Sequence, residues 1–328
     1  ECCSQLVSGS TPTGQTYLCL PNGSNCPSGG GSNVIDPRIV TPSQPGQLCP
    51  NGFFPCYGQA TTCGVQYIPP TNTADGVSDF GAYPWQAYLR NSTNAFAGSG
   101  VLLDPYHVLT AAHKVYNSVA NPSSITVYMG VWNPANFTNT QSSTVATVTV
   151  HPAFVANTLV DDIAILTLSQ PIVLGIYTNI NTICLASTGG SSYIGQTCIV
   201  SGWGQTAFTN FDAPTNPQKQ VTVTIVNYDT CRTSFANINL LGSNVDTYLD
   251  PNGEICAGGE SMRDACSQDG GSPLVCVDST GRYGVAGLVI WGKNCGQPGV
   301  YGVYVNVPYY YNWIQGVLTQ SIGTTAFG

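Results

Sequence analysis

Cys266-Ser267-Gln268-Asp269-Gly270-Gly271-Ser272-Pro273-Leu274-Val275-Cys276 is the stretch on which the reading of this chain turns. Two cysteines ten residues apart bracket an aspartate, a glycine pair and a proline. Gly270, directly after Asp269, has no side chain to ionise or to carry an acyl group. Outward from this stretch, further short motifs stand in a fixed order: Gly81-Ala-Tyr-Pro-Trp85, Leu109-Thr-Ala-Ala-His113, Asp161-Asp162-Ile163-Ala164-Ile165-Leu166, Ser201-Gly-Trp-Gly204 and Pro298-Gly-Val-Tyr301. Between them, runs of Val, Ile, Thr and Tyr alternate with turn residues at 125–129, 144–150, 163–168, 220–226, 285–291 and 300–305. That texture predicts short strands at barrel spacing. Helix signal is nearly absent until Pro308–Leu318, where Pro308 can open a helix with Tyr310, Trp313, Ile314 and Val317 on one stripe.

Taken together, these motifs resemble the chymotrypsin-like serine proteases over residues 80–318. The resemblance implies an all-β, chymotrypsin-like double β-barrel with a C-terminal helix. In that family the nucleophile loop reads Cys-x-Gly-Asp-Ser-Gly-Gly-Pro. The spacing of Cys266 and Cys276 and the place of Pro273 leave no room for an insertion, so Gly270 falls where the serine stands. His113 then matches the base and Asp162 the acid that orients it. Losing the nucleophile alone costs roughly a millionfold in rate. Ser272 is no substitute: two residues of extended chain displace it by about 6–7 Å, whereas a nucleophile must lie within about 3.2 Å of its base.

Other departures point the same way. Gln268 replaces the glycine of the oxyanion loop, and Ile290 replaces a serine that supports the triad aspartate. Gly98 and Lys114 stand in the places of a cysteine pair that braces the histidine loop. Counting back from Pro84-Trp85 puts Asn72-Thr73-Ala74-Asp75 where the activated enzymes carry a new Ile-Val-Gly-Gly terminus, and no Lys or Arg lies between Arg38 and Arg90. Asp269 therefore lacks its usual amine partner and needs other donors or water if buried. A specificity-pocket skeleton remains: Asp264 resembles its acidic floor, and Gly292 and Gly299 match the glycines of its walls. An inherited, unused pocket is the plainer reading. No cofactor is implied, and no metal is expected, because residues 105–160 contain no Asp or Glu for the calcium loop of some relatives.

The chain has 14 cysteines, which argues for an oxidising compartment. The resemblance implies bridges Cys63–Cys184, Cys198–Cys276, Cys231–Cys256 and Cys266–Cys295. Six cysteines remain before residue 62, in a segment rich in Gly, Pro, Ser and Asn and too poor in large apolar residues to hold itself without cross-links. Their pairing stays open. This organisation, with Val34-Ile35-Asp36-Pro37-Arg38 between the N-terminal cysteines, resembles the clip-domain serine protease homologues of arthropods. On that reading 1–62 is a disulfide-rich clip-like module, 63–79 a linker carrying the tethering Cys63, and 80–328 the protease-homologue domain. The alternative for 1–62 is a disulfide-stapled linker.

Only 7% of residues are charged, with a net charge of -8 and eight basic residues scattered singly. No basic track exists for nucleic acid or an anionic membrane. The chain has no initiator Met, positive leader or apolar run of membrane-spanning length, so it reads as a mature, secreted, extracellular protein. Asn22, Asn91 and Asn136 open sequons and are glycosylation candidates. Arg38, in a Gly- and Pro-rich loop and the first basic residue, is a cleavage candidate. The resemblance implies an inactive cofactor in a proteolytic immune cascade such as prophenoloxidase activation, with a cascade protease or prophenoloxidase as protein partner, acting as a homo-oligomer. A structural or secretory-fluid protein of silk, cuticle or saliva, suggested by the low charge, and a weakly active protease are the competing classes.

Overall fold

The computed structural model describes residues 8–10, 16–21, 49, 53–58, 60–186, 193–204, 217–237, 240–261, 263–265, 269–293 and 296–324, with 53, 54 and 321–324 described by backbone alone. Strands β1 (Ser8–Ser10), β2 (Thr16–Pro21) and β3 (Phe53–Tyr57) form a three-stranded antiparallel sheet. A short β4 (Gly76–Val77) follows. Six strands then close a barrel: β5 (Gln86–Arg90), β6 (Phe96–Asp104), β7 (His107–Thr110), β8 (Thr126–Met129), β9 (Gln141–Val150) and β10 (Ala164–Leu168), in the order β10-β7-β6-β5-β8-β9. After β11 (Cys184–Leu185), a second ring forms from β12 (Thr197–Gly202), β13 (Lys219–Val226), β14 (Glu254–Gly258), β15 (Pro273–Val277), β16 (Tyr283–Gly292) and β17 (Tyr301–Asn306). Pairing of β16 with β17 closes this ring; β11 and β4 add to its outside on β16 and β13. The chain is thus the expected chymotrypsin-like double barrel.

The strand pattern explains the closure. In β8, Val127 and Met129 point inward while Thr126 and Tyr128 are only half-buried, the two-residue alternation of a sheet with one dry face. Leu89, Leu102, Val108, Met129 and Leu166 fill the first barrel. Between the barrels lies a second buried cluster built on Trp85, Ile163, Ile165, Val275, Val285 and Leu288. The catalytic-motif residues emerge from the rim of this seam.

Two short helices fall where the sequence showed no helix signal: α1 (Tyr228–Phe235) and α2 (Val245–Tyr248). The first is set by a cap: the Asn227 side chain accepts from Thr230 N and Asp229 sits in the first turn, local chemistry that a search for apolar periodicity passes over. At the C-terminus Pro308 lies in a 3-10 turn, Val307–Tyr310, and α3 runs over Tyr311–Thr324. Tyr310 and Ile314 are buried on the inter-barrel core, with Trp313 and Val317 packed against it. No helix among the described residues is long and apolar enough to cross a membrane.

Disulfides join Cys19 to Cys49, Cys63 to Cys184, Cys198 to Cys276 and Cys231 to Cys256. Cys56 is also disulfide-bonded. Cys266 and Cys295 lie outside the described residues, as do Arg38 and Asn22. The N-terminal sheet does not hang free: Leu18, Leu20 and Cys56 pack on Val173 and Ile176 of the first barrel's wall. Burying a leucine contributes about 1.5–3 kcal/mol.

Candidate functional site

Strand β7 ends in a single 3-10 turn, Ala112–Lys114, which delivers His113 and Lys114 side by side to the barrel seam. Opposite them, Asp161 adopts a left-handed conformation, φ 54°, which aspartate tolerates better than most side chains. The twist there sends consecutive carboxylates apart. Asp161 accepts from Tyr310 Oη at 2.8 Å, on the α3 side. Asp162, 1% exposed, accepts from His113 N at 2.7 Å and lies 2.5 Å from His113 Nδ1. A carboxylate only accepts, so Nδ1 carries a proton and donates it to Asp162. Ile290, buried in the seam, offers Asp162 no hydrogen bond.

His113 Nε2 faces Gly270. A Cβ built on Gly270 would lie 2.7 Å from His113 Nε2 and 3.0 Å from its Cε1, and would overlap Lys114 Cε. His113 is therefore oriented by Asp162 and aimed at a residue with no side chain. Gly271 beside it needs to be glycine: at φ 82° its Cβ would overlap the Ser99 carbonyl and sit 2.6 Å from Thr110 Oγ1. The Ser272 side chain is fully buried, its Oγ without a hydrogen bond and turned away to Gly202.

Lys114 fills what the missing groups leave. Its Cγ and Cδ would lie 3.1 and 3.2 Å from a Cβ on Gly98, and its Cε covers Gly270. One flexible stem thus spans from Gly98 to Gly270. Burial pushes the Lys114 ammonium pKa down, partly offset by Asp269 and Asp162. Asp269 finds a donor in Gly204 N, 2.8 Å from Oδ1.

The segment 72–75 lies exposed on the outside of the second barrel, strapped to β13. Asp75 Oδ1 accepts from Thr222 N and Oγ1, both at 2.9 Å, and Arg263 Nε lies 2.8 Å from Asp75 Oδ2. Gln220 Nε2 donates to Ala74 O at 2.8 Å. Sequence reasoning missed this clamp, whose parts lie more than 140 residues apart.

Next to Arg263, Asp264 turns inward. Gly296 N donates to Oδ2 at 3.2 Å, while Oδ1 is buried with no hydrogen-bond partner among the described residues. Burial pushes its carboxyl pKa up to about 7. The glycine set against it is Gly302, whose Cβ would lie 2.7 Å from Oδ1, rather than Gly299, which turns at φ 73° with open space around it. Gly292 pairs with Gly302 across β16 and β17. The Tyr304 hydroxyl, fully buried near Gly302, also has no hydrogen bond. Behind the seam Glu254 is buried, accepts from Asp250 N at 3.0 Å, and is pushed up to about 8 by burial.

The two described sequons sit on one flank. Asn91 and Asn136 are exposed, and each side chain accepts from the hydroxyl of its own Thr93 or Thr138, at 2.7 and 2.6 Å. Between them Arg90 stacks on aromatic rings, 4.4 Å from the centroid of Phe137 and 5.3 Å from that of Tyr128.

The trypsin family model matches residues 77–314. The inactive CLIP domain-containing serine protease A3 of Aedes aegypti is 39% identical over 92% of this chain and 67% of its own length. Phenoloxidase-activating factor 2 of Galleria mellonella is 33% identical over 73% of this chain and 82% of its own. Protein masquerade of Drosophila melanogaster is 34% identical, matching 73% of this chain and 22% of its own length.

Proposed function

The chain belongs to the trypsin family, among the clip-domain serine protease homologues, and from that premise we propose that it is a secreted, non-catalytic cofactor of a proteolytic immune cascade that leads to prophenoloxidase activation. One observation carries the non-catalytic reading: His113 and Asp162 are paired and oriented, and the base faces Gly270. A base facing no serine cannot form an acyl-enzyme, which supports a binding rather than a peptidase role. The names of the relatives supply the cascade, since one is called a phenoloxidase-activating factor and another an inactive CLIP domain-containing protease.

On this reading residues 1–62 are the clip-like module, tethered to the protease-like domain by Cys63–Cys184. Cascade proteases or prophenoloxidase are its protein partners, and Arg38, in the loop before Cys49, is the point at which an upstream trypsin-like protease cuts. The Asp75 clamp supports a fixed rather than an activatable domain, because the strap is held on β13 by side chains and backbone together.

The test is reconstitution. Prophenoloxidase and its activating protease are combined with and without the full chain, intact or cut at Arg38. The expected result is faster appearance of phenoloxidase activity with the cut chain, and no hydrolysis of arginyl peptide substrates by the chain alone. A cut chain that leaves activation unchanged, together with accumulation in a secretory gland, favours instead the structural or secretory-fluid class that a charged fraction of only 7% also suits.

A further inference from the structure

We propose that Lys114 is an amine nucleophile, and that its Nζ, at the edge of the packed His113–Gly270 centre, takes up small aldehydes by forming an imine. The position carries the inference. Lys114 Cε and His113 Nε2 converge on the single point where a side chain on Gly270 would begin. The stem is held by the packing that Gly98 permits, so its Cε end is kept at that point. The chain has three lysines, and the other two, Lys219 and Lys293, lie elsewhere, Lys293 on an exposed turn where its Nζ donates to Leu240 O at 3.4 Å.

The neighbours suit the chemistry. His113 Nδ1 is tied to Asp162, so the ring is oriented and Nε2 is the accepting atom on the side of Gly270. Burial favours the uncharged amine of Lys114, while the carboxylates of Asp162 and Asp269 act against it. The same carboxylates disfavour an anionic ligand, so the class that fits is a neutral aldehyde. The Nζ lone pair forms a bond to the carbonyl carbon, and the π electrons move to oxygen. One amine proton passes to His113 Nε2, and the oxygen takes a proton from solvent to give a carbinolamine, so that the imine formed in the next step is the protonated one. The nitrogen lone pair then closes the C=N bond as the hydroxyl leaves, protonated by the imidazolium, and one water is released for each aldehyde bound. No oxidant or reductant takes part.

The experiment uses the native full chain and propionaldehyde with sodium cyanoborohydride, which traps the imine as a secondary amine. Peptide mapping after a digestion that does not depend on lysine then reads each lysine separately. Lys114 should carry at least about tenfold more label than Lys219 or Lys293 at early times, the margin that separates an activated amine from one that is only accessible. His113→Gln, which keeps the lysine and removes the proton acceptor, should slow labelling at Lys114 alone. Unfolding in urea should erase the preference. Equal labelling of the three lysines in the native chain, or a Lys114 rate untouched by His113→Gln in a variant with unchanged circular dichroism, overturns the proposal. The result is independent of the cascade assay, since aldehyde capture does not require a partner protein.

Discussion

Replacing Gly270 by serine is the obvious attempt to restore a protease, and the packing argues that it fails first on space. The new Cβ would overlap Lys114 Cε and lie 2.7 Å from His113 Nε2, closer than side-chain carbons tolerate. Backbone strain is not the obstacle, because Gly270, unlike Gly271, does not hold a left-handed conformation. The lysine tail has to move, yet its Cγ and Cδ are already seated against Gly98, so the stem must swing as a whole. Overpacking of this kind costs about 1–3 kcal/mol. For a domain of roughly 150–250 residues each kcal/mol lowers Tm by about 2–4 °C, so Gly270→Ser should melt about 2–12 °C below the parent.

Lys114→Ala alone empties two small volumes and destabilises too. In the double variant the serine has room, so the pair should recover more than half of the single-variant loss, a coupling of about 0.5–3 kcal/mol in a double-mutant cycle. The assay is thermal unfolding of the four proteins, with a fluorophosphonate probe applied to each. No variant should label at the rate of an active trypsin, since Ile290 still offers nothing to Asp162. Strictly additive melting shifts would refute the steric argument, and rapid labelling of Gly270→Ser alone would show that the other departures do no harm.

Two further outcomes follow from the same geometry. Asp264 and Glu254 are pushed by burial from 3.8 and 4.5 to about 7 and about 8. Each holds a proton in the folded chain that the unfolded chain has released, so their stabilising contribution is full below the unfolded values and is lost as pH rises through the folded ones. Glu254→Gln should therefore flatten the fall in Tm between pH 5 and about pH 8.5, and an unchanged slope counts against a buried, protonated Glu254. Brief trypsin digestion should cut Arg38 before Arg90, because the Arg90 guanidinium is stacked on Phe137 and Tyr128; terminal sequencing that finds Arg90 cut first refutes this.

The double barrel was legible because its strands alternate and its motifs keep their order, two signals that survive without any alignment. The His113–Asp162 pair was legible for the same reason: each residue is named by its own motif. Helix α1 was not, since Asn227 sets it through one capping bond rather than through an apolar stripe. Lys114 was legible only as a missing cysteine. Its role depends on Gly98 and Gly270, 16 residues before it and 156 after it, meeting at one point, and composition carries no trace of that meeting. Close packing supplies the reason that a filler exists at all. A protein interior at crystal-like density does not leave the volume of a disulfide and a serine side chain empty without losing contact energy. A long unbranched side chain such as that of lysine can reach from Gly98 to Gly270 with its methylenes. The loss of the brace and the loss of the nucleophile are therefore one packing problem with one solution, and restoring either group alone meets the side chain that solved both.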